Sequence, residues 1–352
     1  MIELAQLDVH VERLGLVLSP DGSPSEAEGV LNPACARTRA NELLLYPRAV
    51  AKGNISRVGR VWVDQRPFGG FETQRDGFAL VPEAEYEVRP HPGYGCEDPR
   101  VTFVPQLDAY VMMYTAFGPT GPRIALALSG DGISWDRVGV MRFGEGGISA
   151  RDDKDAAFFP EPVISPSGKP SFAFYHRPML HLSAVDGRAA IPMIERMPFI
   201  DRESIRIGYI PLEPALHNRE NLLHVMESAI VLSPNDDWGS IKVGAGTPPV
   251  RIEEGWLSLF HGVDLIDNTG NKPKFRYSAG IVIHDLKRPD IVLYRSPVPV
   301  LAPESELERV GIVDNVVFPT GIDRREDLGP RVFDVYYGMA DYTVGAARMT
   351  LR

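Results

Sequence analysis

Two adjacent carboxylates stand out in the segment GCEDPR, where Glu97 and Asp98 precede Pro99 and Arg100. Proline disfavours the helical conformation for the residue before it, so Asp98 is predicted to lie in an extended segment or a turn. A carboxylic acid held beside a second carboxylate and a cation is suited to proton transfer. A surface turn with a local ion pair has the same composition, so the residues that surround the segment in space must decide between the two.

Other residues suited to acid–base or anion chemistry are spread along the whole chain. They lie near short segments that contain a proline or end in an aromatic residue: Asn32, Arg37, Arg48, Lys154, Asp155, Glu161, His176, Arg177, His261, Asp264, Asn315 and Asp341. If these segments converge, carboxylates beside cations can set the pKa values needed for catalysis. Interleaved tyrosines and phenylalanines would then offer flat faces to a carbohydrate.

Composition restricts the class of protein. The chain has 352 residues, of which 44% are hydrophobic and 24% charged, as in ordinary soluble globular proteins. A formal net charge of −10 and the lack of a basic block argue against nucleic acid or a membrane as partner. The N-terminal sequence does not resemble a signal peptide, and two cysteines, Cys35 and Cys96, are too few for a disulfide framework. We therefore expect a cytoplasmic protein.

Short β-rich runs dominate the chain, and 33 glycines and 31 prolines separate them. Runs of alternating or β-rich sequence occupy residues 42–46, 110–115, 124–129, 171–175, 256–260, 277–283 and 332–337. The best helical pattern covers residues 214–228.

A similar unit recurs about five times, with starts near residues 32, 97, 160, 247 and 318 and roughly four strands in each. The repeat predicts an all-β fold, a five-bladed β-propeller that forms a single domain over residues 1–352. A two-domain β-sandwich is the alternative. In a propeller the segments around the five starts would meet at one mouth of a central channel.

Several of these segments resemble glycoside hydrolase family 130, the mannoside phosphorylases and related mannosidases. The matching segments are GCEDPR (95–100), KDAAFFPE (154–161), YHRP (175–178), GAGTPPV (244–250), EEGWLSLFHGVD (253–264), VDNVVFPTG (313–321) and YYGMADYTVGAA (336–347). They extend over nearly the whole chain. Members of the family are five-bladed propellers that cleave β-mannosides with inversion, so the resemblance implies the same fold and reaction here.

The resemblance also implies roles for individual residues. Asp98 matches the general acid of the family. The phosphate-binding groups of the phosphorylases are matched by Lys154, His176 and, more loosely, Arg123. The predicted substrate-binding residues are Asp341, which resembles the residue that grips the mannosyl ring, together with Glu97, His261, Asn32, Arg48 and Tyr114.

The predicted reaction is phosphorolysis of a β-linked manno-oligosaccharide or mannosyl-glucose type of substrate to mannose 1-phosphate. Phosphate is an anionic nucleophile that needs cations to hold it, whereas an inverting hydrolase needs a second carboxylate to activate water. An inverting β-mannosidase and a non-catalytic sugar-binding propeller remain as alternatives. Inorganic phosphate would be a co-substrate, and no metal or organic cofactor is expected. The expected partners are a small oligosaccharide and, because family members are often oligomers, further copies of the chain.

Overall fold

The computed structural model describes residues 7–66, 69–144, 152–180, 187–270 and 272–352, and most of them lie in β-strands. The strands of this described part are β1 (Val9–Leu18), β2 (Gly29–Arg37), β3 (Leu43–Ala51), β4 (Ile55–Gln65), β5 (Phe71–Leu80), β6 (Tyr94–Val104), β7 (Ala109–Gly118), β8 (Gly121–Ser129), β9 (Asp136–Val140), β10 (Arg142–Phe143), β11 (Asp153–Phe158), β12 (Val163–Ile164), β13 (Pro170–Pro178), β14 (Ile205–Pro211), β15 (His224–Val225), β16 (Glu227–Leu232), β17 (Lys242–Ala245), β18 (Val250–Arg251), β19 (Trp256–Asp267), β20 (Lys274–His284), β21 (Val292–Arg295), β22 (Val317–Arg324), β23 (Val332–Met339) and β24 (Thr343–Leu351). The described helices are α1 (Gly187–Arg196), α2 (Leu212–His217) and α3 (Glu306–Arg309).

Most strands form antiparallel groups of four, which we number in chain order. Group one is β2–β5 and group two is β6–β9, and a short parallel pairing of β4 with β6 joins the two. Group three is β11, β13, β14 and β16, and group four is β17, β19, β20 and β21. Group five is β22, β23 and β24, to which the N-terminal strand β1 adds as a fourth. The predicted all-β fold is confirmed.

Hydrophobic side chains fill the space between successive groups. One buried cluster joins groups one and two, and others join groups two and three, three and four, and four and five. A further cluster joins group five to group one, with Tyr336 and Val344 packed against Val30 and Leu45. Because both faces of a central strand are covered, strands such as β7 are buried along nearly their whole length and carry apolar residues without alternation.

Most predicted strand runs lie within observed strands, but the predicted helical stretch 214–228 is only partly helical. The helix α2 ends at His217, a 3-10 turn follows at Arg219–Leu223, and β15 begins at His224. Asn218 has an extended backbone, and its side chain accepts a hydrogen bond from the backbone N–H of Glu220. This local hydrogen bond starts the 3-10 turn and ends the helix.

The predicted third and fourth unit starts are displaced from the first strands of their groups. Pro33 and Pro99 lie inside β2 and β6, whereas Pro160 and Pro248 follow β11 and β17. The prolines are therefore not equivalent positions in the repeat. None of the described helices is both long enough and apolar enough to span a bilayer.

Candidate functional site

The first strands of groups one, two and three each contain a β-bulge with a left-handed residue. Asn32 has φ 44°, Asp98 has φ 46° and Asp155 has φ 60°. Each lies where the register with the next strand shifts. Asparagine and aspartate tolerate this conformation better than other non-glycine residues, and a bulge redirects the side chains of its strand. GCEDPR is therefore a bulge inside β6 and not a connecting turn.

Glu97 and Asp98, in group two, have polar partners from groups one and three. Asn32 Nδ2 donates to Asp98 Oδ1 at 3.0 Å, and Arg48 Nη1 donates to the same oxygen at 3.3 Å. Arg48 Nη2 also donates to Glu97 Oε1 at 2.9 Å, while Lys154 Nζ donates to Glu97 Oε2 at 3.0 Å. Groups one, two and three thus meet at this pair of carboxylates. We call these five residues, with Asp341, the Asp98 cluster.

Asp98 and Asp341 have opposite pKa shifts. Burial would raise the pKa of Asp98, but the charges of Arg48, Lys154 and Arg100 outweigh burial and hold the pKa below its ordinary value. Burial, followed by the negative charge of Asp98, raises the pKa of Asp341 to about 6. In the unliganded protein at neutral pH Asp98 is therefore ionised, and Asp341 is the carboxyl that binds a proton as the pH falls through about 6.

Replacement of Asp341 by Asn is expected to stabilise the fold above pH 6. The raised pKa means that the folded state binds this proton more tightly than the unfolded chain, whose ordinary value is 3.8. The carboxyl therefore contributes its full stability below the unfolded pKa and loses it as the pH rises through about 6. Asp341→Asn should exceed the wild type in free energy of unfolding by on the order of 2 kcal/mol at pH 8.

Urea unfolding of both proteins at pH 5 and pH 8 measures this difference. The gain should shrink at pH 5, because wild-type Asp341 is then mostly protonated and resembles the amide. Asparagine also suits the left-handed backbone of residue 341, which has φ 50°. A variant equally or less stable than the wild type at pH 8 would contradict the raised pKa of Asp341.

A second charged network lies between groups three and four. Arg177 Nε donates to Asp155 Oδ2 at 2.6 Å, and Arg177 also pairs with Glu203. His261 Nε2 is 3.7 Å from the same oxygen of Asp155. Burial lowers the pKa of His261 to about 3, although the charge of Asp155 opposes the shift. His261 is therefore neutral at physiological pH and lies on the side of group four.

Two of the predicted phosphate ligands are already engaged with carboxylates of the neighbouring strand segment. The Nδ1 atom of His176 contacts Asp153 Oδ2 at 2.7 Å, and its Nε2 atom contacts Ser228 Oγ at 2.9 Å. Arg123 Nη1 pairs with Asp152. Of the three predicted phosphate ligands, the structure thus connects Lys154 directly to the Asp98 cluster, while the contacts of His176 and Arg123 run elsewhere.

Tyr114 lies in the core and not at the Asp98 cluster. It is 1% exposed, packs in the cluster between groups one and two, and donates its hydroxyl hydrogen to Glu87 at 2.6 Å. Glu87 is itself buried and paired with Arg137. The structure therefore does not join Tyr114 to the Asp98 cluster, because its polar end is directed at a structural ion pair.

The sequence does not predict which side chains join one strand group to another. Arg100 was predicted only as a partner of the neighbouring carboxylates, but its Nε and Nη2 atoms donate to the backbone carbonyls of Gly246 and Ala245, each at 3.0 Å. This side chain links group two to group four across the interior. Only its place directly after the E-D-P motif indicated in the sequence that Arg100 is important. Its partners could not be inferred, because they lie some 145 residues further along the chain.

A cavity of about 940 Å³ lies at the opposite ends of the first strands. Its lining includes Arg37, Phe103 and Asp323, which follow Asn32, Asp98 and Val317 in β2, β6 and β22. Arg37 and Asp323 pair through two hydrogen bonds of 2.9 and 2.7 Å. Arg37 and Asp323 of this cavity thus neutralise each other.

Comparison with known proteins gives matches in sequence and in fold. The sequence profile described as beta-1,4-mannooligosaccharide phosphorylase matches residues 211–352. A beta-1,2-mannobiose phosphorylase of Thermoanaerobacter sp. (strain X514) is 40% identical over 31% of this chain and 32% of its own length. A 1,2-beta-oligomannan phosphorylase of the same organism is 30% identical over 65% of this chain and 59% of its own length. The chain aligns with less than two thirds of either relative.

The structural match covers more of the chain than the sequence matches do. The solved structure of a beta-1,2-mannobiose phosphorylase from Listeria innocua, in complex with beta-1,2-mannobiose, superposes with a TM-score of 0.70 at 21% identity. The superposition covers 97% of both chains. The chain thus has the fold of this solved structure, and its residues 211–352 match the family model of glycoside hydrolase family 130.

Proposed function

We propose that the protein cleaves β-mannosides by phosphorolysis, with inorganic phosphate as co-substrate and mannose 1-phosphate as product. The observation that carries the proposal is the meeting of two cations from different strand groups, Arg48 and Lys154, at the carboxylates Glu97 and Asp98. Two converging cations are what an anionic nucleophile requires. The phosphorylase names of the matched relatives support the same chemistry.

Four members of the cluster have a proposed role in the reaction. Asp98 donates the proton to the departing sugar, directly or through a sugar hydroxyl. Lys154 and Arg48 hold phosphate, and Asp341 positions the mannosyl ring. We assign phosphate to this pair, with His176 and Arg123 in supporting positions, because Arg48 and Lys154 contact the Asp98 cluster directly whereas His176 and Arg123 pair with Asp153 and Asp152 outside it.

The lowered pKa of Asp98 means that this carboxyl is charged while the site is empty. A proton donor must be protonated once phosphate and sugar are bound. A phosphate anion bound to Lys154 and Arg48 would neutralise the cations that hold the pKa of Asp98 down, and would add negative charge beside it. Both effects favour the protonated acid. Phosphate binding would therefore favour the uptake from solvent of the proton that Asp98 then donates to the departing oxygen.

We also propose that the five strand groups form the five blades of a single-domain propeller. The buried clusters between successive groups, and the cluster between groups five and one, support a closed ring. The pairing of β1 with β24 supports closure by the two ends of the chain. A cytoplasmic location and a homo-oligomer remain predictions from the composition and from the family resemblance.

The proposed reaction is tested with β-1,2- and β-1,4-linked mannobiose, each incubated with and without phosphate. Release of mannose 1-phosphate that depends on phosphate is the expected result. Release of free mannose without phosphate would replace the proposal with hydrolysis. Binding without turnover of either disaccharide, or of a wider panel of β-mannosides, would indicate a non-catalytic sugar-binding protein.

Replacement of Gly338 by Ala is expected to lower kcat at least tenfold. A Cβ atom at this position would lie 2.0 Å from Asn32 Oδ1, so the asparagine must move. Its hydrogen bond to Asp98 would then be lost, and the acid would no longer be held in place. Phosphate-dependent product release measures kcat, with Gly130→Ala as the control because a Cβ there meets nothing within 4 Å. Unchanged kcat in Gly338→Ala would show that Asn32 does not position Asp98.

A further inference from the structure

A buried glutamate precedes the first strand of group five. Glu308 of α3 is fully buried and pairs with Arg13 of the N-terminal strand β1, whose Nε donates to Glu308 Oε1 at 2.9 Å. Tyr337 of β23 donates its hydroxyl hydrogen to the same oxygen at 3.0 Å. The backbone N–H groups of Glu304 and Ser305 donate to Glu308 Oε2 at 2.8 and 2.9 Å. One side chain therefore joins the start of α3 to the second and fourth strands of group five.

The same arrangement occurs in group two. Glu87 precedes the first strand β6, pairs with Arg137 of the fourth strand β9 and accepts from Tyr114 of the second strand β7. It also accepts from the backbone N–H groups three and four positions earlier, as its counterpart in group five does. The two segments are similar in sequence, PEAEYE at 82–87 and PESELE at 303–308. The arrangement is thus a repeated structural feature, and its copy in group two is a matched comparison for the copy in group five.

Asp341 lies in a turn with an unfavourable backbone. The N–H group of Tyr342 donates to the carbonyl of Met339 at 3.0 Å, and the two residues between them, Ala340 and Asp341, have φ 48° and 50°. Turns of this kind favour asparagine, aspartate or glycine, because the left-handed conformation is unfavourable for other residues. The side chain of Ala340 is a methyl group that cannot form a stabilising hydrogen bond. Contacts from outside the turn must therefore maintain the conformation in which Asp341 is found.

Residues 311–316, which follow α3, supply these contacts. The N–H group of Ala340 donates to the Val316 carbonyl at 3.0 Å, and the Ala340 carbonyl accepts from the N–H group of Val313 at 3.2 Å. A Cβ atom at Gly311 would lie 2.2 Å from the carbonyl oxygen of Ala340, so this segment is in close contact with the turn. Both backbone polar groups of Ala340 are therefore bound by the segment.

Glu308 holds this segment in place. The N–H group of Val316 donates to the Glu308 carbonyl at 2.9 Å. Val310 and Ile312 are 65% and 64% exposed, so their side chains face solvent and contribute little packing. A segment with few buried apolar contacts opens easily unless hydrogen bonds fix it. We call Glu308 together with residues 311–316 the anchor segment.

We propose that the anchor segment positions the carboxyl of Asp341 at the Asp98 cluster, with Glu308 as its fixed point. The proposal rests on the proposed function, because it explains how the residue assigned to the mannosyl ring is held in place. Glu308 is a positioning residue that acts through the turn and not by contact with substrate. Arg13 belongs to the N-terminal strand, so the pairing of the two chain ends in group five also supports the site.

Glu308→Gln is expected to raise the KM for β-mannobiose at least fivefold and to leave the KM for phosphate within twofold of the wild type. Both carboxylate oxygens accept from donors, so the amide NH₂ group would face a donor in either orientation and the anchor would be lost. The phosphate cations Arg48 and Lys154 belong to groups one and three, and their positions should not change. Glu87→Gln, the same change in the matched arrangement of group two, should alter neither KM. Initial rates with each substrate varied in turn measure both constants.

Gly311→Ala tests the contact between segment and turn without altering the buried ion pair, and it carries the test if Glu308→Gln does not fold. The added Cβ would meet the Ala340 carbonyl oxygen at 2.2 Å, so the turn must shift. We expect the KM for β-mannobiose to rise at least tenfold, with the KM for phosphate within twofold of the wild type. Gly130→Ala, where a Cβ meets nothing within 4 Å, is the control.

Three outcomes with these variants would overturn the proposal. The first is an unchanged KM for β-mannobiose in every variant of the anchor segment that folds. The second is an equal rise of the KM for β-mannobiose and the KM for phosphate, which would indicate general damage to the fold. The third is a rise in Gly311→Ala without one in a folded Glu308→Gln, which would remove Glu308 as the fixed point.

Asp341→Gly separates positioning from a structural role. Glycine suits the left-handed backbone of residue 341 and removes the carboxyl whose position is in question. If the anchor segment acts through this carboxyl, Glu308→Gln should change the KM for β-mannobiose less than twofold in the Asp341→Gly background. The full fivefold rise in that background would assign Glu308 a structural role and overturn the proposal.

If the wild type shows no phosphate-dependent turnover, the proposed function fails, and urea unfolding then tests the position of Asp341. Asp341→Asn is expected to stabilise the wild type at pH 8, because burial and the charge of Asp98 raise the pKa of Asp341. This gain should fall by at least half in the Glu308→Gln background and stay unchanged in the Glu87→Gln background. An equal gain in the two backgrounds would overturn the proposal independently of the reaction.

Discussion

Asp98→Asn is expected to lower kcat for phosphorolysis of β-mannobiose by about 10²–10⁴-fold, the usual contribution of a general acid. The substitution keeps the size of the side chain and its place between Asn32 and Arg48, so the fold and the binding of the sugar should be retained. What is removed is the proton that the departing oxygen needs. Steady-state release of mannose 1-phosphate measures the loss, and thermal unfolding confirms that the variant is folded.

The leaving group distinguishes a proton donor from a residue that merely binds substrate. A β-mannosyl donor with a dinitrophenolate or fluoride leaving group does not require protonation, so Asp98→Asn should lose less than about tenfold with such a substrate. Asp267→Asn, an aspartate near the end of β19 and outside the Asp98 cluster, is the control and should be unaffected with both substrates. Equal losses with the natural and the activated substrate would contradict the role of Asp98 as general acid.

The fold was predictable because its strands are short, similar and repeated. Apolar runs such as those of β7 and β19 are bounded by turn residues, and their repetition fixes an all-β architecture. The unit boundaries were less predictable, because prolines occur on both sides of the first strand. Pro99 lies inside β6, whereas Pro160 follows β11, and the sequence around each proline looks alike.

The cluster itself was predictable in part. Asn32, Arg48, Glu97 and Lys154 were grouped with Asp98 from the sequence, and their hydrogen bonds join them in the structure. The left-handed bulge at Asp98 was not predictable, since the proline after it indicated only an extended segment or a turn. The bulge depends on pairing with β7, a contact that the local sequence does not specify.

The four consecutive charges from Asp152 to Asp155 show why individual partners were not predictable. Asp152 pairs with Arg123, Asp153 with His176, Lys154 with Glu97 and Asp155 with Arg177. Successive residues of a strand point to opposite sides, and the bulge after Lys154 alters this alternation. Each charge therefore meets a different partner, and the four consecutive residues form four separate ion pairs.

Lys154→Met is expected to raise the KM for phosphate by about 10- to 150-fold, because a charge-assisted hydrogen bond contributes roughly 1.5–3 kcal/mol. Methionine retains the apolar length of the side chain but removes the charge and the donors. The KM for the disaccharide should change far less, since Asp341 and not Lys154 is assigned to the mannosyl ring. Initial rates at varied phosphate with fixed β-mannobiose, and at varied β-mannobiose with fixed phosphate, give the two constants. Lys169→Met, an exposed lysine immediately before β13, is the matched control.

The pH dependence of Lys154→Met provides a second and independent signature. The charge of Lys154 helps to hold down the pKa of Asp98, so its removal should raise that pKa and move the acid-dependent limb of the pH–rate profile to higher pH. A lysine that only stabilised the strand would lower the rate at every pH without this movement. An unchanged KM for phosphate together with an unshifted pH–rate profile would show that Lys154 does not bind phosphate. Arg48 would then be the one remaining cation of the cluster, and hydrolysis would explain the site better than phosphorolysis.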